Sequence, residues 1–242
     1  MSTSEQPRED RSWLLAIDSS TEQAGIALTD GLRCAEQTWD AGRAQTTALL
    51  AEVDHLLGLV GIDLGEVRGI AVATGPGTFN GLRVGVSVAK GLVLGLGVPL
   101  LGVPTLDAAA LPFVTMGQPV VAVVSAGRGR LVWAPYGVQS GGWSQTAPPR
   151  NGLVTELAAD LVGRTTRSIV TGELNPGQED VLGAIPGVSL PARILRLRRP
   201  AAVAELAWAR FRSGDADDPV VLEPTYLHGV RISQPSGLGG DV

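Results

Sequence analysis

Hydrophobic and polar positions follow two different periods along this chain. Residues 13–17 (WLLAI) and 24–29 (AGIALT) are short apolar runs separated by DSSTEQ, and the Asp30-Gly31 pair that follows is a strong hairpin signal. The pattern predicts an antiparallel meander with 32–39 as its third strand. Over 46–58 (TTALLAEVDHLLG) the period becomes helical: Leu49, Leu50, Val53, Leu56 and Leu57 share one face, and Gly58 or Gly61 ends the helix. Residues 63–67 read as a short helical or turn segment, and 68–74 (RGIAVAT) as a buried strand. A helix over 81–96, a strand over 99–103 and a helix from Thr105, with Asp107 in its first turn, come next.

The second half repeats that order. Residues 120–124 and 131–136 read as paired strands, and 137–152 as a loop around a short edge strand. A helix over 155–162, a strand over 168–171 and a helix over 200–212, opened by Pro200, complete the pattern. No solenoid-type repeat is present. The expected fold is α/β with mixed sheets in two lobes, 13–104 and 105–232, between a disordered lead-in (1–12) and a disordered tail (233–242).

Composition narrows the classes. Aromatic residues are only 4% of 242, so the core must be built from Val, Leu, Ile and Ala and no stacking platform for single-stranded RNA is expected. The net charge of −5 argues against a free-standing nucleic-acid binder, though not against a subunit that assists one. The single cysteine, Cys34, precludes an intrachain disulfide and suits a reducing compartment. The polar start MSTSEQPREDRS is unlike a signal peptide, and the most apolar stretch, 84–101, is interrupted by Lys90 and glycines. A soluble cytoplasmic protein with no membrane partner is the expectation.

Three stretches carry candidate chemistry. Asp18, Ser19, Ser20 and Thr21 lie between two strands, where Asp and Ser either cap turn amides or supply the hydroxyls and the acid of a metal–phosphate site. Gly75, Gly77 and Thr78 belong to GPGTFNG, a strand-to-helix loop able to approach an anion or simply to turn the chain, with Thr78 or Asn80 as N-cap. It is neither a P-loop nor a dinucleotide fingerprint. In the helix behind it Gly81, Gly85 and Ala89 fall on a four-residue stagger that Gly91 and Gly95 repeat, so close helix packing is expected, within this chain or with another. Only His55 and His228 are present, so no histidine metal site can form, and no G-x-S-x-G occurs. The run 193–199 (RILRLRR) is either a solvated linker or a phosphate contact.

LLAIDSSTEQAGIAL, GIAVATGPGTFNGLRVGVSVAKGL, VPLLGVPTLDA and LEPTYLHGV, in this order, resemble the TsaB (YeaZ) family of tRNA threonylcarbamoyladenosine biosynthesis, a paralogue of TsaD. The resemblance implies an actin-like ATPase fold and a non-catalytic subunit that activates a TsaD-type paralogue through two helices. ATP or ADP and metal would sit on the partner subunits, with a TsaE-type ATPase and tRNA joining the complex. A homodimer is implied when the chain is alone. It further implies that Asp18, Ser19, Ser20, Thr21, Gly75, Gly77 and Thr78 are a vestigial phosphate site. Leu49, Val53, Leu56, Gly81, Arg83, Gly85, Val86, Ala89 and Val93 would form the partner interface. The catalytic histidine pair of the paralogue is missing, and the acidic residues many members carry at 125–132 are replaced by SAGRGRLV. A self-sufficient ATPase or small-molecule kinase would need a second carboxylate, where Ser125 stands; a metalloprotease fails for want of ligands. A homodimeric interaction protein is the remaining alternative.

Overall fold

The computed structural model describes residues 12–42, 45–114, 116–139, 142–162 and 166–227, with backbone only for 45–48. The predicted lead-in (but for residue 12), the predicted tail and His228 lie outside the described residues. Strand β1 (Trp13–Asp18) is buried along its whole length because both faces of its sheet are covered. Trp13, Leu15 and Ile17 point into one cluster with Leu49, Val53, Leu56, Val86 and Val93, whereas Leu14 and Ala16 point into another with Ala108, Val203 and Ala207. Around β1 the sheet runs β3 (Cys34–Asp40), β2 (Gln23–Thr29), β1, β4 (Val67–Gly75), β5 (Leu100–Pro104). β1 is antiparallel to β2 and parallel to β4. Helices α1 (Gln45–Val60) and α2 (Phe79–Leu96) cover the first face.

The second sheet has the order β11 (Val188–Ser189), β10 (Ser168–Gly172), β6 (Val120–Ser125), β7 (Leu131–Gln139), β8 (Gly142–Gln145), with β9 (Arg150–Gly152) also on β7. Helix α3 (Thr105–Val114) joins the lobes: Ala108 enters the core of the first, while Leu106, Ala109, Ala110 and Phe113 pack on the second. Helices α4 (Val154–Leu161) and α5 (Pro176–Gly183) close the opposite face. Two lobes on mixed sheets are the α/β architecture that the sequence predicts.

The chain does not divide cleanly at residue 104. After the short helix α6 (Arg193–Arg196), helix α7 (Pro200–Ser213) returns to the first sheet, burying Ala202, Val203, Ala204 and Ala207 there. Asp217 follows it, its Oδ2 accepting from the Gly102 amide at 2.7 Å. The third strand starts at Cys34 rather than residue 32, because Asp30 Oδ1 accepts from the amides of Leu32 and Arg33 and holds them in the turn. Helix α5, β11 and α6 add to the predicted elements; their apolar periodicity is too short to read from the sequence.

The expected partner surface needs a larger correction. Leu49, Val53, Leu56, Val86, Ala89 and Val93 are each 5% exposed or less and form this chain's own core, with Gly81 and Gly85 buried beside them. Helical spacing marks a buried face without saying what buries it; here it is the sheet. Gly85 lets α2 approach the β1–β2 loop, since a Cβ there would lie 2.3 Å from Ser19 Oγ. Leu50, expected on the apolar face, is 54% exposed. Among the described residues α2 is the one helix long and apolar enough to cross a membrane, and its inner face is committed to the sheet. Val86→Asp should therefore lower the stability of the isolated chain by more than about 3 kcal/mol, read as a fall in the urea midpoint. An unchanged midpoint would show that this face is not core.

Candidate functional site

At the C-terminal end of β1 the chain turns through Ser19, Ser20 and Thr21, all 3% exposed or less, before β2 begins. The turn is closed by its own side chains. Asp18 Oδ1 accepts from the Ser20 amide at 3.0 Å and the Ser20 hydroxyl at 2.8 Å. With that proton given to Asp18, the 2.9 Å contact between Ser20 Oγ and Thr105 Oγ1 is donated by Thr105, which itself accepts from the Gly75 amide at 3.0 Å. Ser19 Oγ donates to the Gly81 carbonyl at 2.8 Å, joining the turn to α2. The Thr78 amide donates to the Ser20 carbonyl at 2.7 Å, and the Thr78 hydroxyl to the same oxygen at 3.3 Å.

All seven residues expected at a phosphate site thus converge, but their polar groups face one another. A Cβ on Gly77 would stand 2.2 Å from the Ser20 carbonyl oxygen, so Gly77 serves the closeness of the two loops, whereas Gly75, at φ +114, makes room for the Thr225 backbone, whose carbonyl oxygen would lie 2.6 Å from a Cβ there. Into this corner reaches Arg198, 4% exposed. Its Nε donates to Asp18 Oδ2 at 2.6 Å and its Nη2 to Asp18 Oδ1 at 3.2 Å. The same guanidinium reaches Thr21 Oγ1, the Gln23 carbonyl and Glu173 of the second lobe, while Thr21 Oγ1 donates to Glu173 Oε1 at 2.6 Å. Burial alone would push the Asp18 carboxyl up, but the Arg198 charge and hydrogen bonds, with those from Ser20, hold it below its ordinary value. Both carboxylate oxygens are occupied, so the acid that would hold a cation already holds one.

No sequence pattern reveals Arg198 as part of this corner, because 180 residues separate it from Asp18 and nothing local marks it. The run that contains it is neither a free linker nor an open phosphate contact. Arg193 and Arg196 both pair with Glu179, at 2.9 and 2.6 Å, and Arg199 pairs with Glu36. Arg196 also donates to the Gly172 carbonyl at 3.3 Å. The run is a strap between the lobes, fixed by carboxylates at four arginines. No group of three or more His, Cys, Asp or Glu side chains suited to a metal occurs among the described residues.

Two clefts flank the corner. One, of about 460 Å³, lies between Thr21, Thr78, Arg128, Glu173, Gln178 and Arg196. The other, of about 870 Å³, runs past Thr78, Phe79, Arg128, Asn151 and Tyr226. In the 125–132 stretch Gly127, Arg128 and Gly129 all adopt positive φ, at 77°, 53° and 74°. Arg130 is held by Asn151 Oδ1 at 2.8 Å. On the outer side of the first lobe α1 and α2 carry exposed apolar and glycine positions. Leu59 and Leu94 are 69% and 80% exposed, and a Cβ added to Gly58, Gly91 or Gly95 would meet nothing within 4 Å.

Residues 39–158 match the family model described as TsaD: tRNA N6-adenosine threonylcarbamoyltransferase. The chain is 33% identical over 132 residues to the tRNA threonylcarbamoyladenosine biosynthesis protein TsaB of Escherichia coli K12, covering 51% of this chain and 54% of that one. With the Bacillus subtilis protein of the same description the identity is 28%, over 88% of this chain and 93% of the relative. The chain spans about half the length of the E. coli relative and of its Haemophilus influenzae counterpart, 54% and 49%. The solved structure of YeaZ from Pseudomonas aeruginosa superposes with a TM-score of 0.71 at 26% identity, covering 89% of this chain and all of that one (100%).

Arg198→Met tests the corner. Asp18 sits below 3.8 in the fold, so its contribution to stability is present above that pH and is lost as pH falls through the folded value. With Arg198 removed, burial dominates and the carboxyl rises above 3.8; its contribution is then fully present below 3.8 and lost as pH rises. The variant should lose about 3–5 kcal/mol at neutral pH and regain part of it on acidification toward about pH 4, the reverse of the parent. Urea midpoints across that range give the comparison, and parallel profiles would contradict the arrangement.

Proposed function

The chain belongs to the TsaB (YeaZ) family, and on that premise we propose that it is a non-catalytic subunit of the complex that places a threonylcarbamoyl group on tRNA, docking on and activating a TsaD-type paralogue. The observation that carries the reading is the outer strip of α1 and α2, where Leu50, Leu59 and Leu94 stand exposed beside glycines that leave room for another helix. The inner residues first expected at the interface support that strip from below. Small residues at Ser87, Gly91 and Gly95, spaced by four, allow a partner helix to approach α2 closely.

The occupied carboxylate of Asp18 favours this role over that of an ATPase or kinase, because such an enzyme needs that oxygen pair for a metal–phosphate group. Nucleotide and metal belong, on this reading, to the TsaD-type and TsaE-type partners, and the complex works in the cytoplasm. Alone, the chain would use the same strip to pair with a second copy, which the paralogue would displace.

Threonylcarbamoyl transfer to tRNA by the two partner proteins should appear only when this chain is added, and equal modification without it would remove the role. Gly91→Arg and Leu94→Glu, both at open positions, should abolish co-elution with the TsaD-type paralogue while leaving the unfolding free energy from urea titration within about 0.5 kcal/mol of the parent. Retained co-elution in both would move the docking site elsewhere.

A further inference from the structure

Among the described residues most arginines are committed. Arg33, Arg150, Arg193, Arg196, Arg198, Arg199 and Arg210 each pair with a carboxylate. Arg83 and Arg128 have no such partner among the described residues; Arg128 lines the larger cleft, and Arg83 lies against Phe79, which lines it too. Arg128 is the only non-glycine among the described residues with a positive φ, 53°. Glycines stand on both sides of it, yet the side chain at the strained position is a long cation projecting at the mouth of the cleft. On the other wall Phe79 is 52% exposed, with the Arg83 guanidinium 4.1 Å from its ring centroid and the Tyr226 ring at 5.2 Å. Glu22 is the one carboxylate lining the cleft among the described residues.

We propose that this cleft takes an unpaired stretch of RNA, a base extending the Arg83–Phe79–Tyr226 stack and its phosphate meeting Arg128. An aromatic face topped by a guanidinium accepts any base, and a cation without a carboxylate partner exchanges only water for phosphate. The choice of RNA rests on the proposed role in tRNA modification. Composition alone predicts no stacking platform; on this proposal the fold supplies one by gathering two of the few aromatics beside two cations that have no carboxylate partner among the described residues. Because the net charge is −5, the contact is local and its affinity modest, suited to steadying an RNA that the assembly as a whole recruits.

Fluorescence anisotropy of a labelled tRNA anticodon stem-loop, titrated with the full chain at about 50 mM salt, provides the test. Arg83→Gln and Arg128→Asn (Asn tolerates the left-handed backbone) should each weaken binding about 3–10-fold and reduce the salt slope by about one. Phe79→Leu should weaken it by a similar factor with the slope unchanged. Arg212→Gln, an exposed cation at the end of α7 across the sheet from α2, should bind as the parent does. No binding by the parent would overturn the proposal, as would arginine variants within about twofold of it at the same slope. Tighter binding of free ATP than of the stem-loop would overturn it too. Co-elution with the TsaD-type paralogue is scored separately: lost docking with RNA binding retained would sink the functional reading and leave the cleft standing.

Discussion

The buried pair of Asp18 and Arg198 organises the junction of the two lobes and, through it, the covering of both sheets. Two charges are removed from water there, a loss that their attraction offsets only when the remaining hydrogen-bonding capacity is filled. It is filled: Ser20 completes the carboxylate, while Thr21, the Gln23 carbonyl and Glu173 complete the guanidinium. Since Asp18 ends the central strand of one lobe and Glu173 follows β10 of the other, a single guanidinium pairs with a carboxylate from each lobe. The strap that delivers Arg198 also determines where α7 starts, and so how the far face of the first sheet is covered.

That corner uses the residues expected at a phosphate site as architecture. Hydroxyls that could have faced a ligand instead link β1, β4, α2 and α3 to one another, through Ser19 to Gly81, Ser20 to Thr105 and Thr105 to Gly75. The geometry of the two loops is kept, down to the glycine at residue 77 that allows their contact. The cation at the Asp18 carboxylate is a side chain of the chain itself, Arg198. The helix behind the loop is divided in the same way, with an inner face that builds the core and an outer face left for the proposed partner.

Much of this is legible from residue order. The meander, a helix over 46–58 (observed over 45–60), the glycine loop and most strands of both sheets follow from periodicity and turn chemistry, and DSST and GPGTFNG do meet in space. Periodicity fails where it has to. It marks Leu49, Val53, Leu56, Val86 and Val93 as apolar faces, but a buried face reads alike whether a sheet or another chain covers it. Arg198 is invisible for a different reason: its carboxylate partners lie 180 and 25 residues away, and only the fold says which of the four nearby arginines, two of them buried, reaches Asp18. The Phe79–Tyr226 pair, from segments far apart in the chain, is hidden by that same dependence on tertiary contact.

Hydrogen–deuterium exchange on the full chain, with Mg-ATP and separately with the TsaD-type paralogue, is the decisive measurement. Mg-ATP should leave exchange at 18–21 and 75–78 unchanged, since the pair with Arg198 already fills that corner, while the paralogue should slow exchange in α1 and α2. Protection of 18–21 by Mg-ATP, with α1 and α2 indifferent to the paralogue, would contradict both expectations and make this chain a nucleotide-binding protein in its own right.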